Sequence, residues 1–584
     1  MQLHQKTLYS TRIHQQGAGN PGGTPAIAPD EPRRTLTPCR LRRLSPSKGS
    51  NFPKQGVFSP FEGESRRRRQ GVKTPQAAQA VQTLLEPLHP HIMRRMILRR
   101  IAFCIAFCAI ASVDTHAQDV VLVGGVVVDG SGKPGAAANV RIRNGRIEEI
   151  GAFRPRPGEA TINVKGLVVA PGFIDVHNHS AGLIDQELGA PTQIMQGITT
   201  AAFGLDGEGP ILVNDFMARF DENPPVFNVV VFAGHNTVRR QVMGQDYRRA
   251  ATPEEIRRME DAVEIAMRQG AFGLSSNLES GPGAYSTLDE LVALARAASR
   301  YAGVFVCHVR NEGDGAIEAV REAIEVGRRA KIPVHISHLK LGSAAVWGKA
   351  AALLAEIDAA RKQGVDVTAD VFPYNSSESD LAALLRGQSP ERQAAARAVK
   401  DAGGAANILI VRAEKRPDYS FKTLEQVAGA GVDPIDVYLQ ILRDGGGRAI
   451  VASMAEKDVR TLMRHASVMV ASDGGVGYAH PRSAGTFPRV LGMLVREEKL
   501  MSLEEAVRKM STLPAARLGL KERGILRKGA NADVVVFDPT QIRDKAAPED
   551  PTALPEGVQF VFVNGVLTVK DGRPTGERAG AALR

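Results

Sequence analysis

Cysteine is scarce in this chain. There are four in 584 residues; Cys39, Cys104 and Cys108 precede residue 117, and Cys307 stands alone after it. One cysteine closes no intrachain disulfide, so a disulfide framework is excluded. A long apolar run is missing as well. Ile101–Val113 (IAFCIAFCAIASV) falls short of the roughly 20 residues that a membrane-spanning helix needs, so no stable membrane insertion is expected. A basic surface is missing too, despite a formal net charge of +11. Residues 1–117 hold 18 of the 74 Lys and Arg and 6 of the 63 Asp and Glu, so the remainder, with 56 against 57, is close to neutral. That balance argues against a nucleic-acid partner.

What is present begins with a two-part leader. Residues 1–92 are rich in Pro, Ser, Gln and Arg, with an Arg66–Arg69 run and no amphipathic period. That composition predicts disorder, and the stretch reads as sequence upstream of the true start. From Met93 the pattern changes. Arg94, Arg95, Arg99 and Arg100 make a basic segment, Ile101–Val113 an apolar one, and Thr115-His116-Ala117 a small-x-small cleavage site. Residues 93–117 therefore read as a secretory signal peptide, with export to a bacterial periplasm expected.

Residues 118–170 alternate in the manner of strands, with Asp129-Gly130 and Asn144-Gly145 as hairpin turns. Residues 516–584 repeat the style in ADVVVFDP and VQFVFVNGVLTVKDGRP, with Asn564-Gly565 as another turn. The two ends are expected to pair into one small β-sandwich. Between them, residues 171–515 alternate short apolar runs with helical stretches such as Pro253–Gln269, Leu288–Tyr301 and Ala316–Arg329. Eight candidate strands follow: Gly172–His177, Ile198–Gly204, Val226–Ala233, Ala271–Ser276, Val304–Val309, Pro333–Leu339, Val365–Phe372 and Val468–Ser472. The predicted fold is α/β, a closed (β/α)8 TIM barrel whose site lies at the strand C-terminal ends. The segment at about 375–467 is too long for a loop and carries its own strand-like run, ILIVRAE, so a folded insertion and candidate lid is expected.

Polar residues collect at the predicted strand ends. His177 and His179 end strand one, Asp206 follows strand two, His308 ends strand five, His338 strand six and Asp473 strand eight. Residues i and i+2 of a strand share a face, and two imidazoles on one face suit a borderline metal such as zinc. A lone His-x-His is a weak signal, because a histidine more often serves as a hydrogen-bonded structural group. Six such side chains at strand ends around one mouth are not explained that way. Cys307 precedes His308 and so points into the core. His235, just after strand three, reads as structural or as facing substrate. Gly124-Gly125 and Gly445–Gly447 read as turns.

The segments PGFIDVHNH, QGITT, HVRNEGDG, VHISHLK, ADVFPY, ASDGG and HPRSAGTFPRVLG resemble the amidohydrolase superfamily and, within it, the D-aminoacylases. The resemblance covers residues 119–584. It implies a hydrolase of N-acyl-D-amino acids that uses one or two Zn2+ ions, with His177, His179, Asp206, His308 and His338 as ligands. It implies that Asp473 is the base that takes a proton from water and passes it to the leaving nitrogen. It places Lys340, Tyr374 and Arg482 beside the substrate, Lys340 and Arg482 on its carboxylate. Arg310, with Glu312, follows His308 and is expected to orient it at the edge of the substrate site. One departure stands out: D-aminoacylases carry a cysteine ligand where this chain has Asp206, a harder ligand that could be terminal or bridging. The strand-four run AFGLSSNLES contains no lysine, which argues against hydantoinase-like members that depend on a carboxylated one. The competing readings are a D-residue dipeptidase, a cyclic-amide hydrolase, or a non-catalytic periplasmic metal- or ligand-binding barrel. The sequence leaves the oligomeric state open.

Overall fold

The computed structural model describes residues 118–385 and 389–584. The leader (1–92) and the signal segment (93–117) lie outside the described residues.

Val120–Val127, Ala136–Arg143, Arg146–Gly151, Thr161–Asn163 and Val168–Pro171 join Val534–Phe537, Val558–Val563, Val566–Lys570 and Arg573–Pro574 in one nine-stranded sheet. The two ends of the described chain meet where Val168–Pro171 pairs antiparallel with Val534–Phe537. The sheet folds over a shared apolar core that draws Ile142 and Val164 from one end and Val536 and Phe562 from the other. Strand side chains alternate, so Val534 and Val536 enter that core while Val535 and Phe537 pack toward the middle of the protein. Burial on both faces explains why ADVVVF is a continuous apolar run instead of an alternating one. Asn144-Gly145 and Asn564-Gly565 are two-residue turns with positive φ at both positions, the geometry that favours Asn-Gly in hairpins. Asp129-Gly130 instead sits within a longer connection between Val127 and Ala136. Gly124 is not in a turn: it lies at a register shift inside the first strand, a bulge.

The middle of the chain supplies β1 (Phe173–Asp175), β2 (Ile198–Phe203), β3 (Asn228–Val231 and Ala233–Gly234), β4 (Gly273–Asn277), β5 (Val304–His308), β6 (Val334–Ile336), β7 (Val367–Val371) and β8 (Val468–Val470). Each pairs in parallel with the next. The β3 strand is broken at Phe232, its first part pairing with β2 and its second with β4. The ring closes just beyond the strand ends. The Asp473 amide donates to the His177 carbonyl at 3.0 Å and the His179 amide to the Gly474 carbonyl at 2.8 Å. The expected barrel is therefore observed, and its closure runs through the residues that matter most for the site.

The crossover helices follow from local chemistry. Pro253–Arg268 starts at a capping box, in which the Thr252 hydroxyl accepts from the Glu255 amide and the Glu255 carboxylate accepts from the Thr252 amide. Its Met259, Val263, Ala266 and Met267 recur at helical spacing and are buried. Leu288–Ser299 and Ala316–Ala330 fall where expected. The long segment after β7 builds a four-stranded sheet of its own from Ser376–Asp380, Ile408–Ala413, Lys422–Thr423 and Gly447–Ala452. It holds a separate apolar core around Ile408, Ile410, Leu424 and Tyr438.

Candidate metal centre

The chain turns sharply as it leaves β2. In the following loop a Cβ at Gly204 would lie 2.6 Å from the Phe232 carbonyl oxygen, so only glycine lets the two backbones approach. This close fit delivers Asp206 with a φ of +51°; His338 and Asp473 likewise hold φ values of +30° and +47°. Left-handed backbone at three non-glycine residues is strain that the surrounding packing must enforce, and such strain concentrates at functional sites.

Asp206 is the hub. Its Oδ2 lies 3.5 Å from Nε2 of both His177 and His179, and its Oδ1 lies 3.6 Å from His308 Nδ1 and from His338 Nε2. Asp473 Oδ1 completes the first group at 3.6 Å from His177 Nε2 and 3.1 Å from His179 Nε2. Among the described residues, His177 Nε2, His308 Nδ1 and Asp206 Oδ1 are buried and have no hydrogen-bond partner. Three orphaned polar atoms facing one another would be costly unless something binds between them. Donor atoms held about 2.0–2.1 Å from a tetrahedral zinc lie roughly 3.3 Å apart, so spacings of 3.1–3.6 Å fit that ion.

Carboxylates and cations balance around this centre. Burial alone would raise the Asp473 carboxyl, but the Arg482 guanidinium, with His338, His179 and Lys340, holds it well below the usual range. Arg482 Nη1 sits 2.8 Å from Asp473 Oδ2. Burial would likewise raise Asp206, and the charge and hydrogen bonding of His177, with His308 and His338, hold it far down. Lys340 Nζ donates to Glu312 at 3.1 Å and lies 3.9 Å from Asp473 Oδ2. Burial disfavours its charge, yet Glu312 and Asp473 keep it protonated.

His177, His179, Asp206, His308, His338, Asp473, Lys340 and Arg482 thus come together as the sequence suggested. Two others do not. Arg310 points away because its guanidinium binds Glu322 at 2.8 Å and the carbonyls of Ala284 and Ser286. Tyr374 is buried against the ring-to-guanidinium contact with Arg489, and its hydroxyl donates to the Pro481 carbonyl at 3.4 Å. Glu312 orients more than His308: it is 3.8 Å from His308 Nε2 but 2.9 Å from His338 Nδ1. Glu279, two residues past β4, reaches His308 Nε2 at 3.3 Å and was missed, although its strand-end position was a usable signal. Asp370 was also missed. It accepts from the His338 amide at 2.9 Å and pairs with His335 Nε2 at 2.8 Å, which fixes the turn that carries His338. Tyr478 stacks on His179 with ring centroids 5.6 Å apart. Cys307 is core, as expected. His235 is a satisfied structural residue, held by Ser276 at 2.7 Å and Glu290 at 3.0 Å.

Asp206, Glu312, Lys340, Asp473 and Arg482, with His179, His308, His338 and Tyr478, line a cavity of about 670 Å³ that is walled on its outer side by the insertion, with Ser377, Glu378 and Val451 among the lining residues. A concave site of this volume accommodates a small molecule.

Residues 160–575 match the model of a family described as the amidohydrolase family. An N-acyl-D-glutamate deacylase of Alcaligenes xylosoxydans xylosoxydans is 36% identical over 491 residues, covering 80% of this chain and 96% of that protein. A D-aminoacylase of the same organism is 34% identical, covering 80% and 98%. The solved structure of an N-acyl-D-glutamate deacylase from Bordetella bronchiseptica superposes with a TM-score of 0.70 at 34% identity, over 80% of this chain and 99% of that one. That protein is complexed with zinc and a phosphonate inhibitor that mimics the tetrahedral intermediate of its reaction.

Proposed function

This chain belongs to the amidohydrolase family, and from that premise we propose that it is a zinc-dependent hydrolase of N-acyl-D-amino acids, releasing a carboxylate and a free D-amino acid. The observation that carries the reading is the placement of one ionised carboxylate, Asp473, at the edge of a set of metal-type donors and within reach of two cations. The relatives' names supply the D configuration and the acyl-amide substrate.

His177, His179 and Asp206 Oδ2 would hold zinc, with His308, His338 and Asp206 Oδ1 as a second set. Bound there, the ion supplies Lewis acidity and lowers the pKa of water toward roughly 7. The remaining work falls to the chain itself. Asp473 has one oxygen facing the donor set, while Arg482 fixes the other at 2.8 Å. Held ionised and in one orientation, it can accept a proton from the attacking water and deliver it to the departing nitrogen. Lys340 and Arg482 offer charge to the substrate carboxylate, and Arg482 brings a planar fork suited to it. The insertion lines one side of the cavity, and most of the charged groups at its base are buried, which strengthens these interactions.

The test is amine release from N-acetyl-D- and N-acetyl-L-amino acids, D-residue dipeptides and hydantoins with zinc supplied. Turnover confined to dipeptides or to cyclic amides would replace this reading with one of those. Zinc binding without hydrolysis of any of them would leave a binding barrel. The same reading takes 171–515 as the catalytic barrel, 118–170 with 516–584 as the sheet domain, and 93–117 as a signal peptide for periplasmic export. N-terminal sequencing of the protein recovered from a periplasmic extract should begin near Gln118; a start within residues 1–92 would overturn the export reading.

A further inference from the structure

The cavity has two chemically different ends. Its inner end holds the charged groups already described. Among the described residues the only cations that line it are Lys340 and Arg482, and both sit there, within 3.9 Å and 2.8 Å of Asp473 Oδ2. The outer wall comes from the insertion and is built of small residues, apolar ones such as Ala383, Leu384, Ala402 and Val451 alternating with Ser377, Ser379 and Ser453, with Glu378 and Asp401 as the charged members.

Both wall carboxylates are already committed. Glu378 accepts from Arg448 Nε at 2.6 Å and from the Ala479 amide at 3.2 Å, and its side chain is 2% exposed. Asp401 accepts from Ser343 at 3.1 Å and lies 3.7 Å from Arg397. Neither Arg448 nor Arg397 lines the cavity, and each is matched by the acid it accompanies. A substrate carrying one carboxylate, on its α-carbon, spends Lys340 and Arg482. A second carboxylate, on the side chain, would enter a wall of apolar and serine side chains and two committed acids, with no unmatched cation among the described residues. Desolvating a charge without a partner costs several kcal/mol, whereas an aliphatic side chain gains from the same wall.

We propose that the amino-acid side chain accepted here is uncharged and apolar, not acidic, even though a 36% identical relative is an N-acyl-D-glutamate deacylase. The proposal rests on the deacylase reading above and adds the class of side chain to it. The test holds the acyl group constant. The zinc-supplied full chain is assayed on N-acetyl-D-leucine, -D-methionine, -D-glutamate and -D-aspartate. The neutral pair is expected to exceed the acidic pair in kcat/KM by about a hundredfold or more. Leu384→Arg, which sets a guanidinium on the outer wall, should narrow that ratio by at least about tenfold, mainly through the acidic substrates. Equal or better turnover of D-glutamate by the unaltered chain would overturn the proposal while leaving the deacylase reading intact. An unchanged ratio in Leu384→Arg would also count against it. No turnover of any of the four would sink the deacylase reading and this one with it.

Discussion

Replacing Asp473 with Asn removes one negative charge at nearly constant size. Two consequences can be sized separately. A positioned acid–base group contributes about 10²- to 10⁴-fold to rate. Asp473 is assigned both the uptake and the delivery of the proton, so the upper end applies. A 10⁴-fold loss of kcat corresponds to about 5 kcal/mol of barrier. The second consequence is structural. Arg482 and Asp473 are 5% and 4% exposed, and their ion pair is 2.8 Å long. Breaking a buried pair costs about 3–5 kcal/mol, and the lower figure applies because the near-isosteric amide leaves no cavity and keeps a polar oxygen beside Arg482. Asp473→Asn should therefore fold, lose roughly 3 kcal/mol of stability and lose nearly all turnover. It should keep most of its zinc, since His177, His179, Asp206, His308 and His338 still supply donors. Amine release, metal analysis by mass spectrometry and urea unfolding measure the three quantities. Turnover within tenfold of the parent would refute the acid–base assignment. Loss of zinc in step with activity would instead make Asp473 a ligand.

Three further outcomes are expected. Asp206→Ala removes the carboxylate whose two oxygens each face one histidine group, so bound zinc per chain should fall by at least half with circular dichroism unchanged; full zinc retention would dismiss Asp206 as the hub. Arg310→Met should cost about 1–3 kcal/mol of stability through its lost bonds to Glu322, Ala284 and Ser286, with KM within twofold of the parent; a large KM rise would restore Arg310 to the substrate site. Lys509 is buried beneath β8 and donates to the carbonyls of His465 and Val468. Burial, only partly offset by Glu505, lowers it from 10.5 to about 8. Between those two values the unfolded chain binds more protons than the folded one, so stability should rise with pH from 8 to 10.5, by up to roughly 3 kcal/mol. Urea unfolding at pH 7.5 and pH 10 should show that rise in the parent and not in Lys509→Met; equal slopes would discard the assignment.

Periodicity carries burial, and burial made most of the fold legible. Continuous apolar runs marked strands covered on both faces, helical apolar spacing marked the crossover helices, and Asn-Gly marked tight turns. Strand ends marked the mouth of the barrel, which is why His177, His179, Asp206, His308, His338 and Asp473 could be gathered from positions spread over almost the whole barrel. These are local signals, set by side-chain alternation along a single element.

Direction at a strand end is not local. Arg310 follows His308 by two residues, yet its long side chain swings to Glu322 on the Ala316–Ala330 helix, and two backbone carbonyls also accept from it. Tyr374 leaves β7 near the mouth and turns instead to Pro481 and Arg489. Only the folded chain shows that Asp206 presents one oxygen to each histidine group, that Glu312 joins His338 to Lys340, and that Arg482 already grips Asp473. The sequence by itself determined which elements form and which polar residues reach the barrel mouth. The tertiary structure decided which of them meet, because a flexible charged side chain settles on its best partner in three dimensions, and for this site most of those partners lie tens to hundreds of residues away.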